Sequence, residues 1–244
     1  MSPDAYLEMA DTEASHWWFR GRREIVATVL SGLALPRHAS ILEIGAGTGG
    51  NLAMLSQFGK VSAVEMDVTA LRLAREKTGD AYDLRHGKCP DQMPFAGHSF
   101  DLVCLLDCLE HIADDAGSLD CAARLLKPGG AVFVTVPAYQ WLWSAHDVFL
   151  HHQRRYSQRS LHALASRCGL RAERISYFNT MLFPLAVAAR IGDRLRGSRH
   201  ATGAGLPAAP VNHVLHRVFR TERHWLARGS LPFGISLMAV LRAS

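Results

Sequence analysis

Short apolar runs alternate with helical stretches through the middle of the chain. Between residues 39 and 138, runs rich in Val, Ile, Leu and Phe are followed by stretches whose apolar residues recur every three or four positions. Strand and helix repeated in this order predict an α/β fold, a parallel sheet with right-handed crossovers. The predicted strands are residues 40–45, 61–66, 83–87, 100–107 and 131–138.

The pattern continues on both sides of this region. Helices are expected at residues 6–35, from about residue 49, and at 71–77, 115–126, 157–168 and 211–227. Two further strands are expected at residues 171–178 and 235–243, with an apolar stretch at 181–191 between them. The sheet is therefore predicted to finish with two strands that are separated by a long, helix-containing excursion.

Length and composition indicate an ordinary globular protein. The chain has 244 residues, of which 48% are apolar and 20% charged. We predict a single domain over residues 1–244. It consists of a helical cap at 1–38, a core at 39–178, a lid or insertion at 179–210, and a last helix and strand at 211–244. Residues 197–210 are rich in Gly, Ala and Pro and are expected to form a long loop or lid.

Hydropathy and cysteine spacing bear on the location of the protein and on the state of its thiols. The chain has no run of about 18 uncharged apolar residues, and its first residues are acidic where a signal peptide would be basic and then apolar. We therefore predict a cytoplasmic protein. The five cysteines are odd in number and never form C-x-x-C, so buried thiols are expected rather than disulfides or a zinc site.

Charge is distributed unevenly. Residues 1–150 hold 12 Lys and Arg against 19 Asp and Glu, whereas residues 151–244 hold 15 against 3. The basic second half favours an anionic partner, such as a phosphorylated or carboxylated substrate, a membrane surface or nucleic acid, and a solvated Arg-rich surface is the alternative.

Residues 211–228 carry an apolar stripe for which core packing is the default. A hydrophobic acceptor pocket or peripheral membrane contact is the alternative.

A glycine-rich loop follows the first predicted strand and opens a helix. It runs from Gly45 to Gly50 as GAGTGG, and Glu65 ends the next strand 20 residues after Gly45. Backbone N–H groups in such a loop can approach a polar ligand, and the acidic residue can accept hydrogen bonds from ribose hydroxyls, which also fits a dinucleotide site. Glu43 argues against a dinucleotide, because its carboxylate would repel a pyrophosphate but suits an ammonium or sulfonium group.

Several segments carry a resemblance to a known family. They are EIGAGTG (43–49), VEMD (64–67), MPF and SFD within 93–101, LD (106–107) with EH (110–111), and LKPGG (126–130). On these segments, residues 41–178 resemble the class I S-adenosylmethionine-dependent methyltransferases, most closely their bacterial small-molecule branch. The resemblance implies a Rossmann-like, doubly wound sheet of seven strands with the last strand antiparallel and helices on both faces. It implies S-adenosyl-L-methionine as the cofactor.

The resemblance also implies the residues of the cofactor site. Glu65 would bind the ribose diol, Met66 would pack on the adenine, and Leu106 and Asp107 would line the cofactor beside the transferred methyl group. Lys88 stands where many relatives have an acidic residue for the adenine amino group, so that contact would come from backbone or be missing. The expected cofactor-binding residues are Glu43, Gly45, Ala46, Gly47, Gly49, Glu65, Met66, Gly87, Lys88, Leu106, Asp107 and Arg22.

The acceptor is expected beside the segment after the fifth strand, because the carboxyl ends of parallel strands face the ligand crevice. Residues 138–156 are dense in aromatic, His and Arg side chains. We predict that they form an acceptor wall and lid, and core packing with solvated Arg is the alternative. His152 or His151 is the expected general base, with His146 as a base oriented by Asp147 as the alternative. The expected substrate-binding residues are Trp141, Trp143, Arg154, Arg155, Tyr156 and His111.

Methyl transfer to a small or lipid-like acceptor, at oxygen before carbon or nitrogen, is the predicted function. It is an in-line displacement for which the protein aligns the acceptor, excludes water and takes a proton. A peptide acceptor, a nicotinamide oxidoreductase and a cofactor-binding scaffold stay open as alternatives. No nucleic-acid partner is expected, because LDCL (106–109) replaces the D/N-P-P-Y/F motif of amino-methylating base enzymes. No metal is expected, because no carboxylate cluster is evident near the cofactor.

Overall fold

A seven-stranded sheet forms the centre of the molecule. The computed structural model describes residues 3–196 and 205–243, so residues 197–204 of the predicted loop lie outside the described residues. The strand order is β3-β2-β1-β4-β5-β7-β6, in which β7 is antiparallel to both neighbours and the other pairings are parallel. The strands are β1 (Ala39–Ile44), β2 (Gly59–Glu65), β3 (Asp83–His86), β4 (Phe100–Leu106), β5 (Leu126–Pro137), β6 (Leu170–Phe178) and β7 (Ser236–Ala243).

Helices cover both faces of this sheet. The helices are α1 (Pro3–Thr12), α2 (Trp17–Ser31), α3 (Leu52–Leu55), α4 (Val68–Thr78), α5 (Asp115–Leu125), α6 (Ala145–Phe149), α7 (Gln158–Arg167), α8 (Phe183–Arg196), α9 (Ala209–Arg220) and α10 (Arg223–Leu226). Successive residues of a strand point to opposite faces. Accordingly, Val132 and Val134 of β5 belong to the buried cluster that includes residues of α5 and α7, whereas Phe133 belongs to the cluster on the other face, with residues of α2, α4 and α9. The predicted doubly wound, Rossmann-like sheet with an antiparallel last strand is confirmed.

Three predicted helices have different bounds in the structure. The helix expected at 6–35 is two helices, because His16 has an extended backbone and its Nδ1 accepts the Trp18 N–H at 3.2 Å, which starts α2 there. The helix expected at 211–227 is divided into α9 and α10. The helix expected from about residue 49 is the single turn α3, because Gly49 has a left-handed φ of 80° and belongs to the preceding loop.

The apolar stripe of residues 211–228 does not all face the core. His216 and Phe219 of α9 are buried, and His216 Nε2 lies 2.9 Å from Glu24 Oε1 on α2. This contact fixes the orientation of α9 and leaves Val211, Val214 and Val218 exposed, and Trp225 of α10 is exposed as well. Core packing was therefore the wrong expectation for these four side chains. No helix within the described ranges is both long and apolar enough to cross a membrane.

Candidate active site

The glycine-rich loop between β1 and α3 makes a tight backbone turn. Gly45, Gly47 and Gly49 have φ angles of 76°, 54° and 80°, in the left-handed region that glycine enters without strain. A Cβ on Gly45 would also collide with Cys108 Sγ at the end of β4. The loop therefore lies close against the neighbouring strand end, with room only for a residue without a side chain.

Glu65 ties this loop to the end of β2. Its Oε2 accepts the Gly47 N–H at 2.8 Å and its Oε1 accepts the Asp67 N–H at 2.8 Å. Burial raises the pKa of Glu65, while the backbone hydrogen bonds oppose that shift. Met66, directly beyond it, is 57% exposed. The carboxylate thus sits between the loop and an open surface, where it has further lone pairs for hydroxyl donors.

A chain of polar side chains connects the ends of β1 and β4. Asn51 Nδ2 donates to Glu43 Oε1 at 2.7 Å, and Arg22 Nη2 donates to Asn51 Oδ1 at 2.9 Å. Arg22 also forms an ion pair with Asp107, whose φ is 52°. The structure therefore brings together three expected cofactor residues, Glu43, Arg22 and Asp107. Asn51, which links them, has no sequence signal of its own.

Glu43 gives this site its electrostatic character. The residue is fully buried, and its Oε2 has no hydrogen-bond partner among the described residues. Burial raises the pKa of its carboxyl group to about 7. A buried carboxyl oxygen without a partner is costly unless a ligand compensates it. The chemistry of the site therefore fits S-adenosylmethionine, which carries an ammonium and a sulfonium group.

Helix α1 and the turn after it lie over the glycine-rich loop. Glu13 Oε1 accepts the Thr48 hydroxyl at 2.7 Å and forms an ion pair with Lys77 of α4. Met9 Cε lies 3.4 Å from the position that a Cβ on Gly47 would take. Tyr6 is buried, and burial together with the nearby charge of Glu65 raises its pKa. Sequence reasoning missed these covering residues, because only the fold brings α1 to the loop.

Gly87 and Lys88 occupy the far side of the expected cofactor site. The Gly87 N–H donates to the Glu65 carbonyl at 3.1 Å, which continues the β2–β3 pairing past the strand ends. Lys88 is exposed and pairs through its backbone with Gln92. Backbone groups are therefore available here, and Lys88 is exposed to solvent. Ala46 and Leu106 are buried, as lining residues would be.

A second polar centre lies after β5. Asp147 is fully buried, and its carboxylate accepts hydrogen bonds from His152 Nδ1 at 2.9 Å and from Arg155 Nε at 2.7 Å. Burial raises the pKa of Asp147, but these hydrogen bonds outweigh it and lower the pKa below its usual range. Asp147 therefore orients His152 and not His146, which corrects the alternative pairing expected from the sequence. Burial lowers the pKa of His146 to about 4, and its Nδ1 has no partner among the described residues.

Glu110 and His111 lie beside His152. They form a short 3-10 turn directly after β4, and the His111 and His152 rings are 4.7 Å apart in an edge-to-face arrangement. Burial and the nearby charge of Asp107 raise the pKa of Glu110, whereas burial lowers that of His111 to about 3. The sequence named His111 as a substrate residue and missed Glu110, although the adjacent EH pair was visible.

The expected substrate-binding cations are engaged within the protein. Arg154 forms a 2.8 Å ion pair with Asp115, which also accepts the Tyr156 hydroxyl at 2.9 Å, and Arg155 is held by Asp147. Arg154 and Tyr156 thus fix the end of this segment to α5, and Arg155 fixes it to α6. These side chains therefore position residues 138–156 and are not free to hold an anionic substrate. This is the physical reason to revise their expected role.

The remaining expected residues border the surface. Trp141 is 51% exposed and its ring contacts Tyr139 and Phe183, whereas Trp143 is half-buried. His151 is exposed and has a left-handed φ of 57°. Of the two histidines expected as bases, only His152 is joined to the buried carboxylate.

Comparison with known proteins identifies the family. A model of the methyltransferase domain matches residues 17–175. This chain belongs to the methyltransferase-domain family. The match spans the glycine-rich loop, the Glu43 and Glu65 carboxylates, and the segment around His152. The prediction of a class I methyltransferase with S-adenosylmethionine as its cofactor is confirmed.

Individual relatives cover less of the chain. A demethylmenaquinone methyltransferase of Tropheryma whipplei is 30% identical over 95 residues, which is 38% of this chain and 40% of that protein. A ubiquinone biosynthesis O-methyltransferase of Xylella fastidiosa is 33% identical over 102 residues, 40% of this chain and 41% of that protein. This chain thus spans about two fifths of the length of these curated relatives.

The fold is shared with solved methyltransferases. Phosphoethanolamine N-methyltransferase 2 of Haemonchus contortus, in complex with S-adenosyl-L-methionine, superposes with a TM-score of 0.56 and 19% identity. The match covers 90% of this chain and 52% of that one. At this identity the likeness supports the architecture and not the acceptor.

Proposed function

We propose that this methyltransferase transfers a methyl group from S-adenosylmethionine to a hydroxyl oxygen of a small, apolar acceptor. One observation carries the proposal. The polar chain that ends at Asp107 and the His152–Asp147 pair lie at the carboxyl ends of adjacent strands, β4 and β5. That is the edge of an α/β sheet at which ligands bind. The O-methyltransferase name of the Xylella relative supports oxygen as the methylated atom.

The cofactor end of the site would hold the methyl donor. S-adenosylmethionine supplies an electrophilic methyl group to the reaction. Glu43 and the glycine-rich loop would bind its methionine part, because an unpaired buried carboxyl oxygen and a close backbone suit an ammonium group. Glu65 would accept hydrogen bonds from the ribose hydroxyls. Arg22 is paired with Asp107 and Asn51, so it would position these side chains beside the cofactor.

The acceptor end would prepare the hydroxyl. His152 binds Asp147 through Nδ1, which leaves Nε2 as the nitrogen that can accept a proton. Asp147 would hold the ring in place and stabilise the imidazolium that forms, as a buried carboxylate does in other acid–base pairs. Arg155 keeps Asp147 ionised by donating two hydrogen bonds to it, at 2.7 and 3.0 Å.

A cluster of aromatic side chains supports an apolar acceptor. Tyr139 stacks on Tyr177 at 5.1 Å, and Phe183 contacts Tyr139, Trp141 and Phe233 at 5.9, 6.2 and 5.6 Å. Trp141 and Phe233 are partly exposed, so the cluster offers ring faces to a planar ligand.

Methylation at carbon or nitrogen of a small molecule or a peptide is the alternative. The cytoplasmic location, the absence of a nucleic-acid partner and peripheral membrane contact stay predictions.

The test is product analysis. The full chain is incubated with methyl-labelled S-adenosylmethionine and a panel of phenols, amines and short peptides, and the products are separated by mass spectrometry. We expect the label on a phenolic oxygen, and a loss of more than about 100-fold in turnover for His152→Gln. His162→Gln, at an exposed position on α7, is the matched control and should stay within about threefold. Label on carbon or nitrogen alone, or full activity of His152→Gln, would contradict the proposal.

A further inference from the structure

We propose that Glu110, His111 and His152 bind one divalent transition-metal ion at the acceptor end of the site. The proposal rests on the proposed function, because it assigns the ion to the same acceptor hydroxyl. It also revises the sequence-based expectation of no metal. That expectation came from a search for several carboxylates, whereas the fold brings one carboxylate and two imidazoles together from separate segments.

The three side chains are close enough to share an ion. One ligand atom from each lies within 4.8 Å of the others. Ligand atoms on a common ion at about 2.1 Å lie roughly 3 to 4 Å apart, so small side-chain rotations would complete the site. Glu110 and His111 are fixed by the turn after β4, and the Gln153 N–H holds that turn by donating to the Glu110 carbonyl at 2.7 Å. The site therefore joins two ordered segments.

Glu110 provides independent evidence for a ligand. Its side chain is 1% exposed, and its Oε2 has no hydrogen-bond partner in the part of the chain that the structure describes. A buried carboxylate oxygen without a partner costs free energy that a bound cation would recover. The charges of Arg22 and Arg155 favour the ionised form of Glu110, but these guanidinium groups form their ion pairs with Asp107 and Asp147 and leave this oxygen without a hydrogen bond.

The surroundings of His152 are those of a metal ligand. Metal-binding histidines almost always donate their other ring N–H to a carboxylate or carbonyl, which fixes the tautomer and the ring. Asp147 has this position relative to His152 Nδ1, at 2.9 Å. Nε2 is then the nitrogen for the ion. Arg155 and Ser144 in turn hold Asp147, by hydrogen bonds of 2.7 and 2.9 Å.

The donor set indicates which ions and which acceptors would bind. Two imidazoles and one carboxylate suit Zn²⁺, Mn²⁺, Fe²⁺ or Co²⁺, whereas Mg²⁺ and Ca²⁺ prefer oxygen ligands alone. Three protein ligands leave coordination positions for oxygen atoms of a ligand. The acceptor class would be molecules with two neighbouring oxygen atoms, such as catechols. With the ion bound, His152 would be a metal ligand and would no longer act as the general base. The ion would instead promote loss of the proton by lowering the pKa of the acceptor hydroxyl.

The first experiment measures metal binding without cofactor or acceptor. The metal-stripped full chain is titrated with Co²⁺, followed by visible absorption and equilibrium dialysis, and with Zn²⁺ in competition. We expect one Co²⁺ per chain and a loss of more than about 100-fold in affinity for Glu110→Gln and His111→Ala. The matched controls are His151→Asn, which keeps a residue that tolerates the left-handed backbone, and His162→Ala on α7. Both should bind as the wild type does.

A second readout does not depend on the variants folding. Co²⁺ bound at this site should broaden the ring-proton resonances of His111 and His152 in the wild-type chain and leave those of His162 unchanged. The proposal is overturned if the wild type binds no Co²⁺, Zn²⁺ or Mn²⁺ at micromolar concentration. It is equally overturned if Glu110→Gln and His111→Ala bind as tightly as the controls. Calorimetry with S-adenosylmethionine on the same preparation shows separately whether the proposed function fails.

Discussion

The cofactor end and the acceptor end of this site are built in different ways. At the cofactor end, the glycine-rich loop and Glu65 lie within one βαβ unit, and backbone N–H groups satisfy the Glu65 carboxylate. At the acceptor end, Glu110 meets His152 and Asp147 meets Arg155 across separate turns, and side chains satisfy one another. The residues of the cofactor end come from short motifs that are close in the sequence. The contacts of the acceptor end join separate segments that only folding brings together.

This difference predicts where charge removal is most damaging. Asp147→Ala leaves the Arg155 guanidinium, whose side chain is 5% exposed, without its carboxylate. We expect a loss of about 3–5 kcal/mol in the free energy of unfolding, measured by urea denaturation. Asp120→Ala removes an exposed partner of Arg124 and should cost at most about 0.5 kcal/mol. Equal losses for the two variants would show that the acceptor end does not depend on buried pairing.

The buried Glu43 carboxyl at the cofactor end predicts that the free energy of unfolding falls as the pH rises. Burial raises the pKa of Glu43 to about 7, above about 4.3 in an unfolded chain. Between these values the unfolded state has lost the proton and the folded state keeps it, so stability falls as pH rises. We expect wild-type protein without cofactor to lose about 3 kcal/mol from pH 4.5 to 7.5 relative to Glu43→Gln.

The pH prediction is checked by urea unfolding of both proteins at the two pH values. A matching slope for wild type and Glu43→Gln would mean that the Glu43 carboxyl is solvated in the folded state. Cofactor binding gives a second check. If Glu43 faces a cationic ligand, Glu43→Gln should bind S-adenosylmethionine more weakly above pH 7 than the wild type does.

Two substitutions distinguish the cost of backbone strain in the glycine-rich loop from the cost of its close packing against the end of β4. Gly45→Ala introduces both left-handed strain and a collision with Cys108, whereas Gly129→Ala, at a φ of 79° with nothing within 4 Å, introduces strain alone. We expect about 1 kcal/mol of destabilisation for Gly129→Ala and about 2–3 kcal/mol for Gly45→Ala. Thermal unfolding measures both, and equal costs would remove the argument for close packing at Gly45.

The smallest predicted effect concerns the aromatic cluster. Trp141→Ala removes one ring face from the proposed acceptor side and should raise the acceptor KM about three- to tenfold. The Kd for S-adenosylmethionine should stay within twofold, because Trp141 belongs to the acceptor end. Trp225→Ala, at an exposed position on α10, is the control. A change in cofactor affinity without a change in KM would place Trp141 at the wrong end of the site.

The contrast between the two ends also explains how far the sequence could be interpreted. The strands and the Glu43 to Gly49 loop were predictable, because periodicity and local motifs determine them, whereas the antiparallel direction of β7 was expected only from the family resemblance. The pairing of Asp147 with His152 instead of His146, the internal ion pairs of Arg154 and Arg155, and the link through Asn51 were not. Each depends on side-chain directions that only the packed chain fixes. The outward stripe of α9 was missed because His216 and Phe219, not the valines, contact α2.

The most direct test of the account is calorimetric titration of the purified chain with S-adenosylmethionine, S-adenosylhomocysteine and NADH, repeated with Glu65→Ala. The account predicts micromolar binding of the two adenosyl ligands, no binding of NADH, and a loss of at least about tenfold in affinity for Glu65→Ala. Binding of NADH, or of none of the three, would contradict the assignment of the glycine-rich loop and Glu65 to the methyl donor.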